Sequence, residues 1–322
     1  MSARHVPLGA MFRWVSGALH LLVTHPGAML GAGAIMLGVA ILVSVPMIVM
    51  MAPMMADLSA NPTHAADPAA LAQMGAGRIG ALYGLTLLLN LVLMPPLVMG
   101  WMRLLRSLDA GHGGSALDLL APYRDGAAWL RGIGFTVLAI VAAIVLIALF
   151  AAAFWSPISG LMAQAAANQV AVLNGQTPAP PEFSGALVFG YFAFVFGMGL
   201  FQLGSFVGFA ELALRPTSSV PAALGRGLLG VLRNLPWLIV WALALSLVAI
   251  VVMLVVGLVL GLLGAVLAMV SPKLAFALFI LLYIPILLAI YPLMHAGAYL
   301  AWKDMLGDDA APEGGATEPL VA

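Results

Sequence analysis

Apolar residues along this chain gather into six long runs, near 27–51, 79–101, 132–155, 185–210, 237–269 and 274–300, and polar residues collect between them. About 20 residues at 1.5 Å rise cross a hydrocarbon core of roughly 30 Å, so each run predicts a membrane-spanning helix. The expected fold is therefore all-α, a polytopic transmembrane bundle of six spans. The fifth run is longer than a bilayer needs, which predicts a helix that tilts, bends or projects beyond the lipid. Roughly two dozen residues of mixed character precede the first run and no small-x-small cleavage site follows it, so that span is expected to stay in the protein and not to be removed as a signal peptide.

The polar intervals have a pattern of their own. In FRWVSGALHLLVTHPGAML, Arg13, Ser16, His20 and Thr24 share one helical stripe, with Trp14, Leu19, Leu21 and Leu22 around the rest. YRDGAAWLRGIG places Arg124 and Arg131 seven apart with Trp129 on another side, and GRGLLGVLRNLPW places Arg226 and Arg233 at the same interval. Seven residues is nearly two turns, so each pair shares a face. Three amphipathic helices in the cytoplasmic interface are expected, each just before an odd-numbered span, with Arg13, Arg124, Arg131, Arg226 and Arg233 as candidate lipid contacts. The exits also rhyme: MGWMRLLRSLD, VGFAELALRP and AGAYLAWKDML each follow Gly or a small pair with an aromatic and then charge. One reading is a single membrane domain, 1–306, built from three units of interfacial helix plus two-span hairpin, 8–101, 115–210 and 217–300, spaced about 105 residues apart. The other is that any loop beside a span collects Arg, Gly and aromatics; Pro26 and Pro236 sit at different distances from their cations. The remaining residues, 307–322, read as a disordered acidic tail.

Charge orients the bundle. Arg4, Arg13, Arg103, Arg106, Arg124, Arg131, Arg215, Arg226, Arg233 and Lys303 fall on one side, and Arg78 and Lys273 on the other. Positive residues near span ends stay cytoplasmic, so both termini are expected there, with loops 52–78 and 156–184 outside. Those loops, rich in Pro, Ala, Asn and Gln, suit short external helices joined by extended turns.

Composition agrees. With 64% hydrophobic and 7% charged residues and a mean hydropathy of +1.13, the chain has too little polar surface to solvate a globule. The formal net charge is zero and no basic run occurs, which argues against a nucleic-acid partner. There is no cysteine, hence no disulfide, thiolate nucleophile or Cys-ligated metal.

The stretch MPPLVMGWMRLLRSLDAGHGGSALDLLAPYRDGAAWLRGIG resembles the proline-glycine exit, Leu-Asp-x-Gly turn and following segment of a proteobacterial family of integral membrane proteins of unknown function. AGAYLAWKDMLGDD is similar to that family's closing aromatic-x-Ala-aromatic-Arg-Asp motif, with Trp302 and Lys303 in place of the usual Tyr and Arg. The resemblance runs from VPLGAMFRW to Asp304. It implies a multi-pass bacterial inner-membrane protein and carries no catalytic residue.

Candidate chemistry is sparse. No span has an acidic or basic residue near its centre, where ionisable groups usually mark pumps and channels. Glu211, at the end of the fourth span, is placed to pair with Arg215 one turn on. His295 lies at helical spacing from Tyr291 and Tyr299, as a hydrogen-bonded interfacial histidine or as a proton relay or ligand. Asn90 and Gln202 lie nearer mid-membrane and serve either as interhelical packing contacts or as the lining of a small-substrate path. Pro46, Pro95, Pro96, Pro285 and Pro292 predict kinks, and GAMLG at 27–31 and GLVLG at 257–261 predict close helix packing. No P-loop, zinc-protease or nucleophile-elbow motif is present, and the six histidines are scattered. No cofactor, metal or catalytic residue is assigned. The expected protein is non-enzymatic and structural, or interacts with membrane lipids, a second copy or another membrane protein; the alternative is a transporter or lipid-handling protein with a polar cavity between hairpins.

Overall fold

The computed structural model describes residues 4–60, 76–180 and 184–307. All regular structure among them is helical: α1 (Ala10–Thr24), α2 (Pro26–Ala60), α3 (Ala76–Asp109), a 3-10 helix (Ala116–Arg124), α4 (Gly126–Ala153), α5 (Trp155–Leu173), α6 (Gly185–Leu214), α7 (Val220–Arg233), α8 (Leu235–Val270) and α9 (Pro272–Met305). Among the described residues five stretches are long and apolar enough to cross a membrane: Pro26–Val49, Gly80–Asp109, Gly126–Ala153, Gly185–Leu214 and Ile284–Met305. They carry the expected first, second, third, fourth and sixth spans. The expected fifth falls on α8, a continuous helix of 36 residues. Side chains 241–253 of that helix lie outside the described residues, and the described part contains a shorter apolar stretch, Gly257–Val266. The acidic tail from 308 onward and the middle of loop 52–78 also lie outside them.

Local chemistry decides where helices break. Pro26 and Pro236 stand in the first turns of α2 and α8, where a missing N–H costs no intrahelical bond. Each separates a short amphipathic helix from a long apolar one. The middle unit differs from expectation. Ser115 caps the 3-10 helix through a reciprocal capping box with Asp118, and Asp125 accepts the Ala128 N–H at 3.1 Å to start α4. Arg124 therefore falls on the 3-10 helix and Arg131 inside the long helix α4, with no separate amphipathic helix between them. On the opposite side, α5 is followed by an extended Pro-rich strip that folds back on it: Asn168 bonds both the carbonyl and the N–H of Ala179, at 2.8 and 3.0 Å.

The buried core sits at one end of the bundle. It gathers the last turns of α3 (Leu97 to Leu108), α6 (Val207 to Leu214) and α9 (Ala296 to Leu306) with α1, α7, Leu119 and Phe135. Farther along, α2, α4 and α6 expose Ile41, Ile48, Ile144 and Phe192, as helices solvated by lipid can do without cost.

α6 and α7 cross backbone to backbone. A Cβ at Gly227 would strike the backbone of Gly204 and Gly208, and one at Gly208 would strike the Ala223 carbonyl. GSFVG at 204–208 and ALGRG at 223–227 are thus the small-xxx-small pair that forms an interface. Of the motifs singled out in the sequence, Gly31 touches Ala116, while Gly27, Gly257 and Gly261 have nothing within 4 Å of an added Cβ. A crossing helix, not the spacing alone, makes such a motif matter.

Candidate functional site

The polar end is organised around one carboxylate. Glu211, fully buried on the last turn of α6, accepts from Arg226 at 2.8 Å and Arg215 at 3.2 Å. Its other oxygen accepts from Trp302 Nε1 at 2.8 Å. The expected i,i+4 pair with Arg215 is present, and two further partners come from α7 and α9. Arg226 also donates to Ser218 Oγ at 2.8 Å.

Arginines close the helix ends. A helix leaves its last carbonyls unpaired and its C-terminus partly negative. At the end of α6, Arg131 reaches Leu212 O (3.5 Å), Arg103 reaches Ala213 O (3.4 Å) and Arg106 reaches Leu214 O (3.3 Å). Arg131 makes its shortest bond, 2.6 Å, to Ser218 O in the following loop. At the end of α9, Arg215 takes Leu306 O and Arg4 takes Gly307 O, both at 2.8 Å. Asp109 accepts from Lys303 at 2.6 Å and from Tyr299 at 2.8 Å. Asp304 accepts from Trp14 at 2.8 Å and, at 3.4 Å, from the exposed Arg13. Asn234, at the α7–α8 break, accepts the Val6 N–H at 2.7 Å and donates to Arg4 O at 3.0 Å.

The second proline of the Pro95–Pro96 pair removes the N–H that Val92 O would accept. Trp129 Nε1 donates to Val92 O at 3.0 Å, and Tyr123 Oη donates to Leu93 O. The proline pair of α3 is thus stitched to the 3-10 helix by Tyr123 and to the start of α4 by Trp129. Burial pushes the Tyr123 phenol up to about 12.

Beyond this end, α3, α4 and α6 line a half-open cavity of about 320 Å³. Its polar lining is Asn90, Thr136, Gln202 and Ser205; the rest is aliphatic, aromatic or proline, and none of the lining side chains is ionisable. Asn90 and Gln202, from different helices, meet on this one space. The Asn90 amide donates to Thr86 O at 3.1 Å. His295 is not part of it. That ring is buried, donates to Tyr291 O from Nδ1 (2.8 Å) and stacks on Trp101 at 4.8 Å between centroids.

Of the five arginines singled out in the sequence, Arg13, Arg124 and Arg233 are exposed, whereas Arg131 and Arg226 turn part of their guanidinium groups inward. The sequence does not single out Arg103 and Arg106 as carbonyl caps, nor Trp302 as a donor to Glu211. Their only signal is an aromatic or a cation near a span end, which does not name the partner helix. Among the described residues no group of three or more His, Cys, Asp or Glu is placed to hold a metal ion.

Among the described residues, five helices long and apolar enough to cross a membrane, with an ion-paired end, define a polytopic helical membrane protein. No family model, curated protein or solved structure matches the chain.

Proposed function

We propose that this is a non-enzymatic, six-span protein of the bacterial inner membrane, with the polar end and both termini on the cytoplasmic side, that engages anionic lipid through the exposed cations of that end. The observation that carries this reading is the way α1 and α7 divide their surfaces. Each has one face buried in the bundle (Trp14, Ala18 and Leu21; Ala223, Gly227 and Val231). Each has a second, apolar face turned outward: Phe12, Val15 and Val23 on α1, Leu229 and Leu232 on α7. A third face carries the cations, Arg13 and Arg233. Going around either helix the order is the same, which is what an interfacial helix needs and what a repeated unit would give. The asymmetry of Lys and Arg, and the resemblance to inner-membrane proteins, support the orientation. The length and apolar character of α8 support the fifth span.

The test replaces exposed arginines only, since Arg226 is needed by Glu211. Arg13→Gln, Arg124→Gln and Arg233→Gln together should cut anionic-lipid enrichment around the reconstituted protein by an order of magnitude or more, since each basic residue near such a surface contributes about 1 kcal/mol. Enrichment equal to the parent protein's, measured with spin-labelled phosphatidylglycerol, rejects the reading. A second reading, a transporter or lipid-handling protein, is favoured by the cavity that joins Asn90 to Gln202.

A further inference from the structure

Serine and threonine in membrane helices ordinarily return their hydroxyls to a carbonyl one turn back. Thr24, Ser44 and Thr136 do so here, to His20, Ala40 and Gly132, at 2.7, 2.8 and 3.1 Å. Ser205 does not. Its side chain is 9% exposed, its Oγ has no hydrogen-bond partner, and it lines the α3–α4–α6 cavity. A buried hydroxyl without a partner costs about 1–3 kcal/mol, so a cavity that keeps one has a group to offer a guest. Three residues earlier on α6 the Gln202 amide, which is exposed, lines the same space. Across it, the Asn90 amide uses one N–H on its own helix and keeps its oxygen for other donors.

The remaining wall selects what enters. No ionisable side chain is present to neutralise a charged guest, and taking an unpaired charge out of water is costly. Phe135, Phe201, Phe206 and Phe209 give it an aromatic, apolar surface. A volume of about 320 Å³ lies at the small end of ligand pockets and is roughly twice that of an engineered cavity that holds benzene. That is room for an uncharged head and the first part of one chain, but not for a phosphate headgroup with its hydration.

We infer that this cavity is a binding site for an uncharged, single-chain amphiphile drawn from the bilayer, whose hydroxyl or carbonyl oxygen is held by Ser205, Gln202 and Asn90 and whose chain leaves among the phenylalanines. The inference rests on the lipid-handling reading and names its ligand class.

The full-length protein in liposomes is labelled with a diazirine-bearing long-chain alcohol and, separately, with the matching diazirine fatty acid, and the modified peptides are mapped. The alcohol should label α3 or α6 beside the cavity. Ser205→Ala and Gln202→Leu should each lower that labelling about fivefold, the worth of one hydrogen bond. Ala143→Leu, which fills the cavity without touching the polar groups, should lower it as well, and Ser159→Ala on α5 should not. Thermal unfolding in detergent identifies any variant that fails to fold; if Ala143→Leu does, Ile140→Phe replaces it. Cavity labelling by the fatty acid at pH 8 as strong as by the alcohol overturns the uncharged-ligand inference while leaving a lipid-handling cavity in place. Alcohol labelling that ignores the polar and the filling substitutions overturns both.

Discussion

Glu211 shows how one side chain holds an end of this bundle together. Fully buried, it serves two guanidinium groups and an indole drawn from α6, α7 and α9. Glu211→Leu would leave Arg215 and Arg226 without their acceptor, and breaking a buried pair from one side costs about 3 kcal/mol. Thermal unfolding in detergent should register that loss, with Glu211→Gln in between because it still accepts from Trp302. The aromatic stitches over the Pro95–Pro96 pair are milder. Trp129→Phe removes the N–H that serves Val92 O and should cost about 1 kcal/mol. Tyr123 adds a pH dependence. Its folded-state pKa is raised from 10.0 to about 12, so the folded protein holds the phenolic proton more tightly than the unfolded chain. The stability it contributes is complete below pH 10 and is lost as pH rises toward 12. Phenolate absorbance of the Tyr123→Phe variant against the parent should show one tyrosine fewer titrating late. At this scale the sequence announces only what is local. The Glu211–Arg215 pair is legible because it spans one helical turn, whereas Trp302 lies 91 positions from Glu211.

Among the elements, the crossing of α6 and α7 is the most exacting. Gly227→Ala forces a methyl into the backbone of α6 and should destabilise the protein by about 2 kcal/mol. Gly261→Ala, with nothing within 4 Å, should be neutral or slightly stabilising, since Ala is the better helix former by about 1 kcal/mol. Parallel melting curves of the two variants decide the point; equal losses would contradict the packing. The long helices are legible in the sequence because an apolar run of this length has few other fates. Their ends are not. α3 and α9 continue through Arg103, Arg106 and Lys303, where a hydropathy reading stops, because charged residues propagate a helix as well as apolar ones do. The 3-10 helix is missed for a related reason: Arg124 and Arg131 do share a seven-residue spacing, but the Asp125 cap restarts the chain between them.

Among the described residues the molecule is densely paired at one end, and the helices leading away from it expose aliphatic side chains. Because the chain has no cysteine, single cysteines can report which end faces which compartment. Gly225→Cys on α7 and Ala167→Cys on α5 are both exposed, and the proposed orientation predicts that a membrane-impermeant maleimide applied to intact spheroplasts labels the second and spares the first. The cavity is half legible: Asn90 and Gln202 stand out as amides in apolar runs, but nothing linear tells that they share a space or that Ser205 joins them. Val6 and Arg4 meet partners 228 and 303 positions further on, so this segment finds its seat only after position 307 has left the ribosome. A synthesis halted before Asp304 would leave Trp14 unlatched and its neighbours bared to whatever proteases patrol unfinished membrane proteins.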